Sequence, residues 1–272
     1  MCIKISWGDS MNYKVFFWLF IALVLIIVAV PILYVGYEGS IGRYSNPQLS
    51  LSQDVIRSIV LTLVSSAIAT LIALVLGIPV AYYLARYDFK GKGVVEALVD
   101  LPASVPHPLI GVAILLLFSE PLSPALQLLG VESISYTFYA LVLALLIVSS
   151  PIMIRTMVNN FKAMDPEPEI AALSLGVSRV RVFFLITLPM SIRAILNSYA
   201  ITFARAVSEF GSVSIVAYYI INPPFQGTKQ ASVLIWDLFE SGGLGKALPV
   251  SATLLAISLL VLAVIRITEA KQ

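Results

Sequence analysis

Long stretches without a single charged residue constrain this chain more than any other feature of its sequence. A helix needs about 20 predominantly apolar residues to cross the hydrocarbon core of a bilayer. Stretches of roughly that length or longer, free of Asp, Glu, Lys and Arg, cover residues 15–37, 58–85, 101–119, 133–154 and 247–265. They predict an all-α integral membrane protein.

The composition excludes several other classes of protein. Hydrophobic residues make up 59% of the chain and charged residues 12%, whereas a soluble domain carries about 25% charged residues. A soluble enzyme, a disordered protein and a nucleic-acid-binding protein are therefore excluded, and the net charge of +2 suggests no polyanionic partner. Because Cys2 and His107 are the single cysteine and the single histidine, we expect no internal disulfide and no metal site.

A sixth apolar stretch, residues 191–219, contains Arg193, Arg205 and Glu209. We interpret it as one span whose charged side chains face protein or water, because charges inside a membrane avoid lipid. The first stretch is longer than the apolar core of a signal peptide and is therefore expected to be a retained span. The sequence thus predicts six transmembrane helices in one domain, residues 1–272.

The Lys and Arg residues between the spans predict the orientation. With the N-terminus in the cytoplasm, the inside segments carry twelve of them and the outside segments carry three, namely Arg43, Lys229 and Lys246. Cytoplasmic loops are enriched in Lys and Arg. We therefore expect a multi-pass protein of the cell membrane with both termini in the cytoplasm.

The inside loop 155–190 contains the signals for two short helices joined by a sharp turn. Asp165 is a typical N-cap residue, and Pro166 suits the first helical position. Glu169 places negative charge near the positive end of the helix dipole. Gly176 can adopt the left-handed conformation that ends a helix, and Ser178 can cap the helix that follows.

The first of these helices has an apolar surface formed by Ile170, Leu173 and the small residues Ala171 and Ala172. Such a short helix suits insertion into a groove of a partner protein. The alternative is that it packs on the protein's own cytoplasmic face or lies in the membrane interface, and periodicity alone does not separate these possibilities.

The same loop resembles the "EAA" loop of the permease subunits of ABC importers. The resemblance rests on Ala171, Ala172, Gly176 and the Ile186, Leu188, Pro189 ending, which keep the family's spacing. Ile170 stands where the family normally has a glutamate, and the nearest acid is Glu169. The fold implied is that of a type I ABC importer permease with cytoplasmic coupling helices.

This resemblance implies the partners. Two copies of the chain would form a homodimer in membrane lipid, two ATP-binding subunits would dock on the coupling helices, and an external binding protein would deliver the substrate. The residues implied in coupling to the ATPase are Asp165, Glu169, Ala171, Ala172, Leu173 and Gly176. ATP and Mg²⁺ would be bound by the partner subunit, and the chain itself, which lacks a phosphate-binding loop motif, would have no cofactor, no catalytic residue and no enzymatic activity of its own.

Two further segments resemble the sulfate-, molybdate- and tungstate-type permeases. These are DLPASVPHPLIGV at 100–112 and ARAVSEFGSVSIVAYY at 204–219. The ending Ala217, Tyr218, Tyr219 is most similar to tungstate/molybdate permeases of archaeal type. The resemblance therefore implies import of an oxyanion.

Six residues in these two segments are candidates for the translocation path or its gate: His107, Arg205, Ser208, Glu209, Gly211 and Ser212. Arg205 and Glu209 are four residues apart and share one face of a helix. They are either a structural pair that neutralises itself or a part of the path. His107 is either a buried structural histidine or a contributor to the gate, and the small residues serve either helix packing or the passage of an anion.

Two other functions are compatible with a membrane bundle. An ion-coupled secondary transporter could use Asp100, Glu209 or His107 as a relay, but we detect no inverted repeats of the kind such transporters contain. An enzyme acting on lipid phosphates would need a convergent set of Asp, Glu and His residues, and the sequence has no motif that indicates one.

Overall fold

The computed structural model describes residues 11–128 and 133–270, and all regular secondary structure in these two ranges is helical, without strands. The helices are α1 Met11–Ser40, α2 Pro47–Ser50, α3 Gln53–Arg86, α4 Lys92–Ser104, α5 His107–Ser119, α6 Ser123–Leu128, α7 Phe138–Ala163, α8 Glu167–Ser174, α9 Arg179–Val182, α10 Leu188–Met190, α11 Ile192–Val207, α12 Gly211–Val216, α13 Ala231–Gly242 and α14 Leu244–Ala270. A π-helical turn, Phe183–Thr187, joins α9 to α10. The expected fold class, an all-α membrane bundle, is confirmed.

Three helices within the described ranges are long and apolar enough to cross a membrane by themselves, namely α1, α3 and α7. Two bent pairs, α4 with α5 and the segment 179–190 with α11, raise this number to five, and α14 begins with a further apolar stretch at 244–260. Up to five spans are therefore recognisable within the described ranges, several of them broken or displaced, and the expected number of six is not confirmed.

The prediction of a third span over 101–119 is wrong in its first part. Residues 101–104 belong to α4, whose axis is turned by 109° from that of α5. The break lies at Val105 and Pro106, where proline cannot donate a helical hydrogen bond. The side chain of Arg155 on α7 pairs with Asp100 and donates to the Glu96 carbonyl oxygen at 3.1 Å, which fastens α4 across the bundle.

The fifth predicted span, 191–219, is also interrupted. α11 ends at Val207, and α12 begins at Gly211. The Glu209 carboxylate accepts a hydrogen bond from the Ser212 backbone N–H at 2.9 Å. A side-chain oxygen therefore serves as the acceptor that a backbone carbonyl would provide in a continuous helix.

The fourth span and the loop after it are displaced along the chain. Thr137 Oγ1 caps α7 by accepting from the Ala140 N–H at 3.2 Å, so the helix begins at Phe138 and not at residue 133. It continues to Ala163, and the loop predicted at 155–190 therefore begins at residue 164. We call residues 164–190 the elbow. The segment that joins the third and fourth predicted spans is expected to form an outer loop at 119–135, and part of it lies outside the described residues.

The core of the bundle is built where α3 packs against α7. The contact is close because small residues, among them Ala69, Ala73 and Ala81, face α7 from α3. A Cβ added at Gly77 would approach Ile154 Cγ1 to 3.1 Å. Small residues let two helices approach closely and gain dispersion contacts, which replace the hydrophobic effect inside a membrane.

α1 lies at the periphery and packs on α14. Gly39 faces the α14 backbone at Leu248, and an added Cβ would also come within 2.7 Å of Ala252 Cβ. Most of the remaining α1 side chains are exposed, including Phe16, Phe17 and Trp18, as expected for a helix that faces lipid.

We predict that Gly39→Ala lowers the melting temperature of the protein in detergent. The new methyl group must push α1 away from α14, and overpacking of this kind costs about 1–3 kcal/mol. Gly93→Ala is the matched control, because a Cβ at Gly93 on α4 meets nothing within 4 Å. Equal melting temperatures for the two variants would contradict the close α1–α14 contact.

Candidate functional site

The elbow contains the helix–turn–helix that the sequence predicts. α8 begins at Glu167, one residue later than expected, and the Asp165 carboxylate accepts from the Glu167 N–H at 3.0 Å. At the other end Gly176 has a φ of +82°. The Gly176 N–H donates to the Leu173 carbonyl and the Val177 N–H to the Ala172 carbonyl, which is the Schellman arrangement.

The outward surface of the elbow is apolar. Ile170 is 56% exposed and Leu175 is 85% exposed, with Leu173 and Ala171 also accessible between them. Ala172 is half-buried. This surface is about one and a half helical turns long. It forms a compact apolar projection that could insert into a groove of another protein.

Glu169 faces the opposite way from Ile170. The residue is 5% exposed, and its Oε1 accepts from Arg86 Nη2 at 3.0 Å while Oε2 accepts from the Tyr82 hydroxyl at 3.1 Å. The elbow therefore brings together all the residues expected to couple to an ATPase, but Glu169 contacts α3. The sequence analysis did not find Arg86 as the partner of Glu169. The one available signal was that the acid stands at position 169, whereas the family normally has a glutamate at the position of Ile170.

A second contact joins the elbow to the residue that follows α3. Arg179 Nη1 donates to the Tyr87 hydroxyl at 2.8 Å, and its guanidinium lies over the Tyr87 ring, 5.3 Å from the centroid. This contact is exposed, in contrast to the one between Arg86 and Glu169.

The second candidate region is a partly buried ionic network at the break between α11 and α12. Arg205 Nη2 donates to Glu209 Oε2 at 2.8 Å and lies 2.9 Å from His107 Nδ1, and the same Glu209 oxygen is 3.1 Å from that His107 nitrogen. Glu209 Oε1 accepts from both the backbone N–H and the hydroxyl of Ser212 at 2.9 Å. Four of the six residues predicted for the path or gate therefore form one cluster.

Gly211 lets the two segments of this network approach each other. A Cβ at Gly211 would lie 2.9 Å from His107 Cβ and from Pro108 Cδ. Gly111 on α5 is similarly closed in by the Ser212 carbonyl oxygen, 2.6 Å from an added Cβ. Gly211, the fifth residue predicted for the path or gate, is thus explained by the packing of α5 against α12.

Ser208, the sixth predicted residue, is exposed on the wall of a cavity. The cavity has a volume of about 520 Å³ and lies between α3, α11, α13 and α14. Ser232 also lines it and donates from its hydroxyl to the Glu209 carbonyl oxygen at 2.6 Å. The cavity thus adjoins the ionic network through Ser232.

The end of the bundle opposite the elbow carries a smaller polar cluster. Asp237 on α13 accepts from Lys229 Nζ at 2.7 Å and from the Tyr218 hydroxyl at 2.6 Å. The hydrogen bond from Lys229 holds the pKa of Asp237 below its usual value. In the described ranges 11–128 and 133–270, no three His, Cys, Asp or Glu side chains are arranged to hold a metal ion.

Comparison with known proteins identifies the family. Residues 73–271 match the family described as the inner membrane component of binding-protein-dependent transport systems. The chain belongs to this family. It is a membrane-spanning permease subunit of an ABC importer, and the resemblance found in the elbow is confirmed over most of the chain.

Individual relatives agree with the family. The permease is 35% identical to a molybdate/tungstate transport system permease protein of Methanocaldococcus jannaschii, over 91% of this chain and 93% of the relative. It is 30% identical to a sulfate transport system permease protein of Synechocystis, over 98% of this chain and 89% of the relative.

Solved structures share the fold of the permease. A bacterial ABC transporter that imports the acidic polysaccharide alginate matches with a TM-score of 0.72 and 15% identity, over 96% of both chains. The same type of transporter in complex with its periplasmic protein, itself bound to an alginate pentasaccharide, matches with a TM-score of 0.67 and 15% identity, over 94% of this chain and 93% of that chain.

We predict that Glu209→Gln destabilises the permease and that a second change reverses the effect. Arg205 loses its counter-charge, which costs of the order of 1–3 kcal/mol at a partly buried site. In the double variant Arg205→Gln, Glu209→Gln both charges are absent, and we expect the melting temperature in detergent to recover. Ser208→Ala is the control, because the Ser208 hydroxyl is exposed and bonds only to the Arg205 carbonyl.

The double variant also shows whether the Arg205–Glu209 pair is a structural pair or a part of the translocation path. If stability and substrate uptake both recover, the pair is structural. If stability recovers and uptake does not, the charges act in the path. A double variant less stable than Glu209→Gln alone would contradict the pairing itself.

Proposed function

We propose that this permease forms the membrane channel of an importer for molybdate and tungstate. The observation that carries the proposal is the 35% identity, over nearly the whole of both chains, with a molybdate/tungstate permease. The sulfate permease of Synechocystis is less similar. All three substrates are tetrahedral dianions, so sulfate is the alternative substrate that an experiment must separate.

In this proposal the elbow is the docking site of an ATP-binding subunit. Ile170, Leu173 and Leu175 offer apolar surface for a groove, and the Schellman turn at Gly176 fixes the end of the helix that carries them. ATP and Mg²⁺ are bound and used by that partner. The end of the bundle with the elbow is then cytoplasmic, as are both termini, in agreement with the distribution of Lys and Arg.

The complete importer contains two copies of the permease, two ATP-binding subunits and an external binding protein. The relative solved with a periplasmic protein supports the last of these partners. The binding protein would deliver the oxyanion to the end of the bundle that carries α13. ATP binding and release of the substrate are then linked through two conformations of the bundle, each favoured by a different ligand.

The Arg205–Glu209–His107 network is proposed to lie beside the path at the middle of the bundle. Its positive charge is largely neutralised by Glu209, which suits a weak and transient contact with an anion. Weak binding is sufficient when a separate binding protein selects the substrate, and tight binding would slow release. An ion-coupled secondary transporter would not need an ATP-binding partner, and the membership of the ABC family makes it the weaker candidate.

The proposal predicts the substrate dependence of ATP hydrolysis by the assembled complex. With the permease, its ATP-binding subunit and the binding protein in lipid vesicles, tungstate or molybdate should stimulate ATP hydrolysis by about 5- to 150-fold, the usual range for coupling between sites. Sulfate at the same concentration should stimulate it much less. Equal stimulation by all three anions, or by sulfate alone, would contradict the proposed substrate.

Docking is tested in the same system with Leu173→Glu. A charge on the apolar surface of α8 should weaken the binding of the ATP-binding subunit at least about tenfold, which corresponds to 1.4 kcal/mol, and should abolish stimulation. Leu128→Glu is the control, since Leu128 is exposed at the opposite end of the bundle. Unchanged binding by Leu173→Glu would contradict docking at the elbow.

A further inference from the structure

Arg86 joins three separate helical elements at the elbow end of the bundle. It is the last residue of α3, and its Nη2 atom donates to Glu169 Oε1 on α8 at 3.0 Å and to the Met164 carbonyl oxygen at 3.3 Å. Met164 is the residue that caps the C-terminal end of α7. One guanidinium therefore holds the ends of α3 and α7 and the start of the elbow together.

The surroundings of this contact make it rigid. Both oxygens of the Glu169 carboxylate are bound, one by Arg86 and the other by the Tyr82 hydroxyl. The Tyr82 ring packs against Phe161 of α7 and Phe183 of the elbow, with centroids 5.6 Å and 4.9 Å away. An ion pair in such surroundings is costly to break, because either partner alone would leave a buried charge without compensation.

The position of the acid decides which way it faces. Successive residues of a helix are rotated by about 100°, so Glu169 and Ile170 point to different sides of α8. Ile170 is exposed and available to a partner, whereas Glu169 is buried against α3. Glu169 is therefore placed to hold the elbow to its own bundle.

α3 extends the connection to the other end of the molecule. It is one helix of 34 residues, which corresponds to about 51 Å. At its far end Ser58 Oγ donates to the Lys229 carbonyl oxygen at 2.7 Å, and Thr62 Oγ1 accepts from the Ala231 N–H at 2.9 Å. Ala231 is the first residue of α13, so α3 is bonded to the elbow at one end and to the α13 segment at the other.

We infer that the Arg86–Glu169 pair is the positioning contact that makes the elbow and α3 move as one body. When a docked ATP-binding subunit displaces α8, the pair transmits the displacement to α3, and α3 transmits it to the segment around α13. Glu169 is thus a positioning residue that acts through Arg86, and it does not contact the ATP-binding subunit. This inference rests on the proposed function, which places the docked ATP-binding subunit on the elbow.

The test uses Glu169→Gln in the complete complex, with Glu167→Gln as the matched control. Glu167 lies on the same helix, carries the same charge and is exposed. For Glu169→Gln we expect normal binding of the ATP-binding subunit and normal basal ATP hydrolysis, but about tenfold less tungstate uptake per ATP hydrolysed, as expected for a lost coupling free energy. Glu169→Asp keeps the charge and should recover part of the coupling, and Glu167→Gln should behave like the unmodified permease.

A distance measurement tests the contact without any transport. Cys2 is first replaced by Ser, and spin labels are placed at Ser174 on α8 and at Asp88, two residues after α3, both of which are exposed. The distribution of distances between the labels should broaden in Glu169→Gln and stay narrow in Glu167→Gln.

Three results would overturn the inference. The first is an unchanged distance distribution and unchanged uptake per ATP in Glu169→Gln. The second is an equal loss of coupling in Glu167→Gln. The third is loss of ATP-binding-subunit binding together with uptake in Glu169→Gln, which would make Glu169 a purely structural contact. Failure of the proposed function appears differently, as absence of tungstate-stimulated ATP hydrolysis in the unmodified complex, and the distance measurement still tests the pair in that case.

Discussion

A charged side chain withdrawn from water is stable only beside a partner, and this constraint acts at one break between helices of the permease and at one junction between them. Glu209 is 1% exposed and Glu169 is 5% exposed. Each is paired with an arginine and bound by at least one further donor. At Glu209 the pairing coincides with the interruption between α11 and α12, and at Glu169 it fastens the elbow to α3. The two acids thus define the two regions to which a function can be assigned.

The parts of the structure that sequence analysis predicted depend on short-range signals. The elbow is correct in its two helices and their turn because Asp165 and Gly176 act on backbone groups within a few residues of themselves. Most of the apolar stretches appear as long helices for the same reason, since a run of apolar side chains needs no distant partner to be recognised. The pair Arg205–Glu209 was also predictable, because its members are one helical turn apart.

The parts that sequence analysis missed are of two kinds. In some, a residue that interrupts a helix outweighs the apolar length of the stretch, and in others the contact joins residues far apart in the chain. The stretch 101–119 is long enough to span, but Pro106 breaks it and α4 turns away by 109°. The stretch 191–219 is interrupted because the Glu209 side chain binds the Ser212 backbone N–H, which apolar length does not reveal. Arg86 and Glu169 are 83 residues apart, and Asp100 and Arg155 are 55 apart. One sequence contains no information on which distant charges meet.

The proposed importer moves an oxyanion only when an ATP-binding partner acts on the bundle, and uptake of tungstate into lipid vesicles is the most direct measurement of this dependence. Vesicles that contain the permease, the ATP-binding subunit and ATP, supplied with loaded binding protein, should accumulate tungstate, and an ionophore that collapses ion gradients should not prevent it. Vesicles that contain the permease alone should not accumulate it. Accumulation by the permease alone, or uptake that the ionophore abolishes while ATP is held constant, would contradict the claim.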